Sequence, residues 1–308
     1  MTPFIQEDAD VYVTDEAAGK MWTFWLGDSG ARLAELADCS IDFTIDSPPF
    51  PDLYTYSNSP RDMGNALDRA DFFEQWAYMI RENLRVTKPG RLAMVHVQQV
   101  TKLKSRDGYI GMSDFRGETI AAYEREGWIY WGEATVDKDP QAQAIRTKAQ
   151  QLMFVTKNKD RTMIRPALAD YALLFKKPGE NAVPVVGDLT NEEWIEWARP
   201  VWLDIKESDT LNARAAREDD DEKHLTPLQL GYIERGIRLY TNPGETVLTR
   251  FGGVGSELYM AVKLGRRAHG IELKPSYWRA GCQYLAELEA EIAAPKLTDL
   301  LDESEDHE

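Results

Sequence analysis

The chain has 308 residues, 43% of them hydrophobic, with 36 Lys and Arg against 52 Asp and Glu, a net charge of −16. This size and apolar content can bury one large α/β core with an insertion, or two domains. No apolar stretch approaches transmembrane length, the start Met1-Thr2-Pro3-Phe4-Ile5-Gln6-Glu7-Asp8 carries neither a basic leader nor a hydrophobic run, and the acidic balance is a poor footprint for a polyanionic partner. The expected location is cytoplasmic. Cys39 and Cys282 show no pairing pattern and read as small reduced core residues, and His96, His224, His269 and His307 lack metal-ligand spacing, so no metal is expected.

In chain order, the first strong element is the apolar run Ile41-Asp42-Phe43-Thr44-Ile45, a strand ending in Asp46-Ser47-Pro48-Pro49-Phe50. Two consecutive prolines have fixed φ and no N–H, so nearby carbonyls point outward as rigid acceptors. Ser47 adds a hydroxyl and Phe50 a flat apolar face. The plain alternative is a stiff turn closing a buried strand. An amphipathic helix is predicted over 71–86, stopped before Lys88-Pro89-Gly90, then a strand over 91–97 carrying His96. His96 is within reach of the same strand end, although a hydrogen-bonded core histidine is the plainer account.

A helix over 117–126, a strand over 128–136 and a strand over 171–175 follow, and the alternation argues for a parallel sheet. Between the last two strands, residues 138–165 hold seven basic residues, Lys138, Arg146, Lys148, Lys157, Lys159, Arg161 and Arg165, against Asp139 and Asp160. This segment leaves the carboxyl end of the 128–136 strand, where ligands of parallel sheets bind, and is expected to face the same side as Phe50. Residues 180–223 are irregular apart from a short helix at Asn191–Trp197 and end in an acidic run at 218–222. Trp194, Trp197 and Trp202 there are expected to pack in the core rather than support a nucleobase.

A second motif lies downstream: a strand over 245–249, the turn Arg250-Phe251-Gly252-Gly253-Val254-Gly255-Ser256, and a helix over 257–264. Strand, glycine turn and helix in succession bring backbone N–H groups close to the polar part of a nucleotide-type ligand. About twenty residues past the first glycine, Glu272 ends the next strand, where a carboxylate can bind ribose hydroxyls.

In this order the two motifs resemble the DNA amino-methyltransferases that modify cytosine N4 or adenine N6, in the permuted group whose target-base motif precedes its cofactor motif. Gly27-Asp28-Ser29, His224-Leu225-Thr226 and Lys274-Pro275-Ser276-Tyr277 fall where that family has corresponding segments. The resemblance implies a Rossmann-like α/β sheet, circularly permuted and with insertions, and S-adenosylmethionine as methyl donor. It places Phe251, Gly252, Gly253 and Gly255 around the donor's amino acid part, Glu272 on its ribose and Asp28 toward its adenine, with Ser256 and Thr226 also among the cofactor-binding residues. Ser47, Pro48, Pro49 and Phe50 become the target pocket, with Asp46 one position earlier able to serve an adenine or simply to end its strand. The family's usual Asp-Pro-Phe-x-Gly-x-Gly is here Thr249-Arg250-Phe251-Gly252-Gly253-Val254-Gly255, a departure that bears on cofactor affinity.

The implied organisation is a catalytic part at 1–137, a basic substrate-facing insertion at 138–165, a core strand at 166–179, a variable insertion for target recognition at 180–223, a cofactor-binding part at 224–295 and an acidic tail at 296–308. An exocyclic amine is a poor nucleophile because its lone pair is delocalised into the ring, and acceptors at its hydrogens free that pair without a covalent intermediate. Methylation at cytosine C5 would need a Pro-Cys nucleophile, and Cys39 follows Asp38 while Cys282 follows Gly281. Ser47 before the prolines tilts the expectation toward cytosine N4 over adenine N6. The substrate implied is double-stranded DNA with its target base flipped out, bound by the seven basic residues; a homodimer is left open. The resemblance suits a bacterial or phage-infected host cell. Other readings are methylation of RNA or protein, and a lapsed scaffold that binds a basic partner through its acidic surface.

Overall fold

Alternating apolar residues build one large sheet covered by helices on both faces, as seen in a computed structural model describing residues 12–51, 61–213, 216 and 227–294. The strands are β1 (Asp15–Ala18), β2 (Trp22–Leu26), β3 (Ile41–Asp46), β4 (Thr87–Gln98), β5 (Val100–Lys102), β6 (Gly111–Ser113), β7 (Ile129–Val136), β8 (Asp170–Lys176), β9 (Val201–Trp202), β10 (Thr246–Thr249) and β11 (Arg267–Glu272). The helices are α1 (Ser29–Leu33), α2 (Arg69–Val86), α3 (Lys104–Asp107), α4 (Phe115–Arg125), α5 (Pro140–Thr147), α6 (Phe154–Lys159), α7 (Asn191–Trp197), α8 (Leu230–Tyr240), α9 (Ser256–Lys263) and α10 (Pro275–Ala293).

The nine strands of the main sheet lie in the order β1-β2-β11-β10-β3-β4-β8-β7-β9, and β5 pairs with β6 apart from it. Strands β2, β11, β10, β3 and β4 are mutually parallel. The expectation of a parallel sheet is corrected at β1 and at β8, which is antiparallel to both β4 and β7. The reason is the connection: residues 138–165 stay at one end of the sheet instead of crossing its face, so the chain re-enters in the opposite direction.

Period-two alternation splits the strand side chains between two cores. Phe43, Ile45, Met94 and Val247 pack with Tyr232, Ile237, Leu258 and Leu285 from α8, α9 and α10. Ala93, Val95, Leu173 and Leu248 pack with Leu33, Trp76, Ile80, Phe115 and Tyr123 from α1, α2 and α4. Helix α2 shows why: Asp68 caps it by accepting from the N–H groups of Ala70 and Asp71, and Phe72, Trp76, Met79, Ile80 and Asn83 form one buried stripe at helical spacing.

At the amino end of the sheet, Asp42 ties three strands together. Its carboxylate accepts from Lys88 at 2.7 Å, from Arg91 at 3.0 Å and from the Thr246 N–H at 2.9 Å. Lys88-Pro89-Gly90, read above as a stop, is instead a bulge inside β4, with the pairing stepping from Ile41↔Thr87 to Phe43↔Leu92.

Of the tryptophans in 180–223, Trp202 is buried in the core and its indole N–H donates to the Trp197 carbonyl at 2.9 Å, whereas Trp194 is exposed. Cys282 packs against the core, but Cys39 is exposed, which corrects its reading as a core residue. No described helix is long and apolar enough to cross a membrane. The acidic run at 218–222, the tail at 296–308, His224, Thr226 and His307 lie outside the described residues.

Candidate functional site

Strands β3, β4, β10 and β11 all end at the same side of the sheet, so the residues just past them converge. One cavity there is lined by Ser47 and Pro49 from the end of β3, by Asp28 and Ser29, by Gly252, Gly253, Val254, Ser256 and Glu257 after β10, and by Glu272 and Lys274 at the end of β11. Two sequence motifs about 200 residues apart thus share one pocket, as the sheet's crossover topology requires.

The glycine turn is held by its own backbone. Gly252 N–H donates to Ile271 O at 2.8 Å and Gly255 N–H to Gly252 O at 2.7 Å. Gly253 at φ +51° and Gly255 at φ +85° occupy the left-handed region that side chains disfavour. Gly255 is the residue before α9, and Ser256 opens that helix. Phe251 packs against the core on the α2 side of the sheet.

Glu272 grips this turn: one oxygen accepts from Gly253 N–H at 2.7 Å and the other from Lys274 N–H at 2.7 Å. Burial raises its pKa to about 7 against the lowering effect of those N–H donors. Each carboxylate oxygen keeps a further lone pair for a ligand hydroxyl. Asp28 caps α1 through Gly30 N–H at 2.8 Å and pairs with Arg61 at 2.8 Å, and Gly27 N–H donates to Glu272 O at 2.8 Å. The described cofactor-side residues named from the sequence are thereby brought together, and Pro227 and Leu228 also line the cavity.

Sequence reasoning missed Glu257. Its carboxyl is buried on the cavity wall, and burial pushes its pKa up to about 8, with Asp46 and Glu272 adding repulsion. Among the described residues, no cation is among the groups acting on it. The signal was present as an acid directly after the glycine turn, but it read as an ordinary acid in a helix's first turn.

On the target side, Pro48 and Pro49 are buried and Ser47 and Phe50 half-buried. The Phe50 ring lies edge-on to Phe115 at 5.8 Å and tilted to His96 at 6.0 Å. Ser47 Oγ is 3.1 Å from His96 Nδ1.

Asp46 is corrected. It is fully buried, and its carboxylate is consumed by Arg250: one oxygen accepts from the Arg250 backbone N–H at 2.7 Å, the other from Nε at 2.7 Å and from Nη2. Fully buried and outside the cavity lining, it presents no acceptor to a ligand in that cavity. Arg250 is turned inward, and its guanidinium also reaches Met79 O at 2.8 Å and the Tyr123 hydroxyl at 2.7 Å. Burial alone would lower its pKa, but Asp46 outweighs this and keeps it charged. Arg250 in place of the family's proline thus has its guanidinium absorbed by the core through Asp46, although the residue still borders the cavity.

The basic segment divides. Lys138 is corrected as a DNA contact: it is buried and held by Asp170 at 2.7 Å. Arg146 pairs with Glu207 at 2.9 Å, and half-buried Arg165 donates to Pro166 O at 2.8 Å. Lys148, Lys157, Lys159 and Arg161 are exposed, on or beside α5 and α6, and α6 also exposes Phe154 and Val155. This segment starts beyond β7 and returns at Asp170, which pairs with Val136 and Gln98 at the cavity's end of the sheet.

Fold and site together define the class of α/β methyltransferases with a nucleotide-type cofactor turn. The DNA methylase family profile matches residues 41–283, and the chain belongs to that family. The resemblance to DNA amino-methyltransferases drawn from the motifs is borne out at that level. Among curated relatives, the type II methyltransferase M.BglI of Bacillus subtilis is 34% identical over 109 residues, covering 35% of this chain and 28% of that protein. The type II methyltransferase M.MthZI of Methanothermobacter thermautotrophicus is 24% identical over 280 residues, covering 81% of this chain and 72% of its own length. Two solved structures share the fold. One, described as a DNA modification methylase of Thermus thermophilus complexed with S-adenosyl-L-methionine, has a TM-score of 0.65 at 22% identity, over 85% of this chain and 92% of that one. The other, the cytosine-N4-specific PvuII DNA methyltransferase, has a TM-score of 0.59 at 18% identity, over 89% and 93%.

The buried Asp46–Arg250 pair predicts that Arg250→Ala loses about 3 to 5 kcal/mol of stability, because it strands a buried carboxylate. The double variant Asp46→Asn with Arg250→Met recovers a large part of that loss, and urea denaturation of the three proteins measures both effects.

Proposed function

We propose that this chain transfers the methyl group of S-adenosylmethionine directly to the N4 amine of a cytosine flipped out of double-stranded DNA, at a specific sequence. The observation that carries the reading is the single cavity into which Ser47 and Pro49 open from one side and Gly253, Glu257 and Glu272 from the other. A methyl donor on the glycine turn and a base amine at the Ser-Pro-Pro corner would meet there. Burial of Asp46 against Arg250 withdraws the carboxylate that argued for adenine N6, while the half-buried Ser47 hydroxyl stays at that corner.

The cavity's acids suit this donor. Glu272 accepts hydrogen bonds from the ribose hydroxyls, and Glu257, with no cation acting on it among the described residues, accepts from the ammonium of the donor's amino acid part. Exposed Lys148, Lys157, Lys159 and Arg161 contact DNA phosphates at the cavity's end of the sheet, so a chain of net charge −16 approaches its polyanion through one segment. Pro48 and Pro49 set the corner rigidly, and Phe50 stacks on the extruded base.

Incubation with S-adenosylmethionine and duplex DNA, digestion to nucleosides and mass spectrometry should yield N4-methylcytosine. N6-methyladenine instead would overturn the choice of base, and no methylated base would overturn the reaction. Phe50→Ala should weaken productive base capture by about 1 to 3 kcal/mol, read as a fall in kcat/KM on duplex DNA.

Glu257 and Glu272 also set a pH dependence. Their pKa values are raised in the folded chain to about 8 and about 7, so the folded state favours their protonated forms. The unliganded chain therefore loses stability from them as pH climbs from the ordinary carboxylate range through 8, and a bound cation restores it. Calorimetry should show S-adenosylmethionine binding tighten from pH 6 to 8.5. Glu257→Gln should bind roughly tenfold more weakly at pH 8.5 and show a flatter dependence.

A further inference from the structure

Three strand ends bring a serine, a histidine and an aspartate into line beside the target corner. Ser47 follows β3, His96 stands near the end of β4, and Asp170 opens β8. Ser47 Oγ is 3.1 Å from His96 Nδ1, His96 Nε2 is 3.2 Å from Asp170 Oδ2, and Lys138 Nζ is 2.7 Å from that same oxygen. The other Asp170 oxygen accepts from Gln98 Nε2 at 2.9 Å. The His96–Asp170 contact is bent, a close charge contact rather than a straight hydrogen bond. The imidazole is seated by the Tyr232 ring, edge-on at 5.4 Å, and by Phe50.

This is more than packing requires. Burial by itself would raise the Asp170 pKa, but His96 and Lys138 outweigh it and hold the carboxyl at about 2. An ionised carboxylate beside Nε2 favours the tautomer with its proton there, which leaves Nδ1 free to accept from the Ser47 hydroxyl. Lys138 offsets part of the Asp170 charge.

We infer that Ser47, His96 and Asp170 form a relay that removes the proton released when the target amine is methylated. The inference rests on the amine methylation proposed above. In that step the amine nitrogen bonds to the methyl carbon, the methyl–sulfur bond breaks with its electron pair going to sulfur, and the nitrogen carries one proton in excess. That proton passes to Ser47 Oγ as the Ser47 hydroxyl proton passes to His96 Nδ1. The imidazolium is stabilised by Asp170 and returns its proton to water between turnovers. His96 acts through Ser47 and is a positioning residue for the proton.

The test is single-turnover methylation of duplex DNA at saturating S-adenosylmethionine from pH 5 to 9. The groups facing His96 are Ser47 beyond β3, Asp170 on β8, Lys138 beyond β7 and Tyr232 on α8. The wild-type rate should fall on the acid side as the relay becomes protonated. His96→Gln should be slower by about a hundredfold and lose that acid limb, with calorimetric binding of S-adenosylmethionine retained as the sign of an intact fold. His96→Ala should regain turnover with added imidazole, in proportion to the imidazole's basic form. A His96→Gln enzyme that keeps the wild-type pH profile, at full or reduced rate, overturns the relay alone. A wild-type enzyme that methylates no base overturns the amine reading and the relay with it.

Discussion

The buried pair of Asp46 and Arg250 is the constraint on which the rest of this molecule depends. Asp46 ends the strand that carries the Ser-Pro-Pro-Phe corner, and Arg250 begins the glycine turn. The pair is joined through the Arg250 backbone N–H as well as its guanidinium. The Arg250 carbonyl in turn accepts from Ser29 Oγ, and the guanidinium reaches α2 and α4 through Met79 O and Tyr123. A single residue, through its backbone and its guanidinium, thus fixes the Ser-Pro-Pro-Phe corner, the glycine turn and the start of α1 to the helical layer behind them. Removing two charges from water is costly, and here several hydrogen bonds offset it; such a pair specifies geometry more than it adds stability.

Around that junction the site sorts its charges by burial. Burial on the cavity wall raises the pKa of Glu257 to about 8 and of Glu272 to about 7, so both are poised to ionise near neutral pH. Asp170 is kept ionised by Lys138 and His96 a few ångströms from Ser47. Meanwhile the positive charge of the 138–165 segment stays exposed, on Lys148, Lys157, Lys159 and Arg161. An acidic DNA methylase can in this way keep anionic chemistry inside and present a local cationic face to a polyanion.

Much of this was legible in the chain itself where the signal is local. Paired prolines, a glycine turn between strand and helix, and an acid about twenty residues on constrain backbone φ and hydrogen bonding within a few residues, so Pro48, Pro49, Gly253, Gly255 and Glu272 could be located without a structure. The 71–86 helix was legible from its apolar stripe. What failed did so where the deciding partner is distant. Lys88-Pro89-Gly90 looks like a terminator but lies in a bulge because β3 pairs on both sides of it. The antiparallel course of β8 follows from where an insertion returns, which periodicity does not record.

The sequence by itself determined the class of protein, the permuted order of its two motifs and the residues that shape each one, because those rest on backbone chemistry between near neighbours. Only the tertiary structure decided what Asp46, Arg250, Lys138, His96 and Glu257 are for. Each has a role set by a partner or cavity wall supplied from another part of the chain. Arg250 reads as a defect in the glycine turn until Asp46 is seen across 204 positions, and Lys138 reads as a DNA contact until Asp170 is seen to hold it. A charge in a sequence does not reveal whether it faces water or another charge, and in this protein that difference separates the exposed Lys148 from the buried Lys138 paired with Asp170.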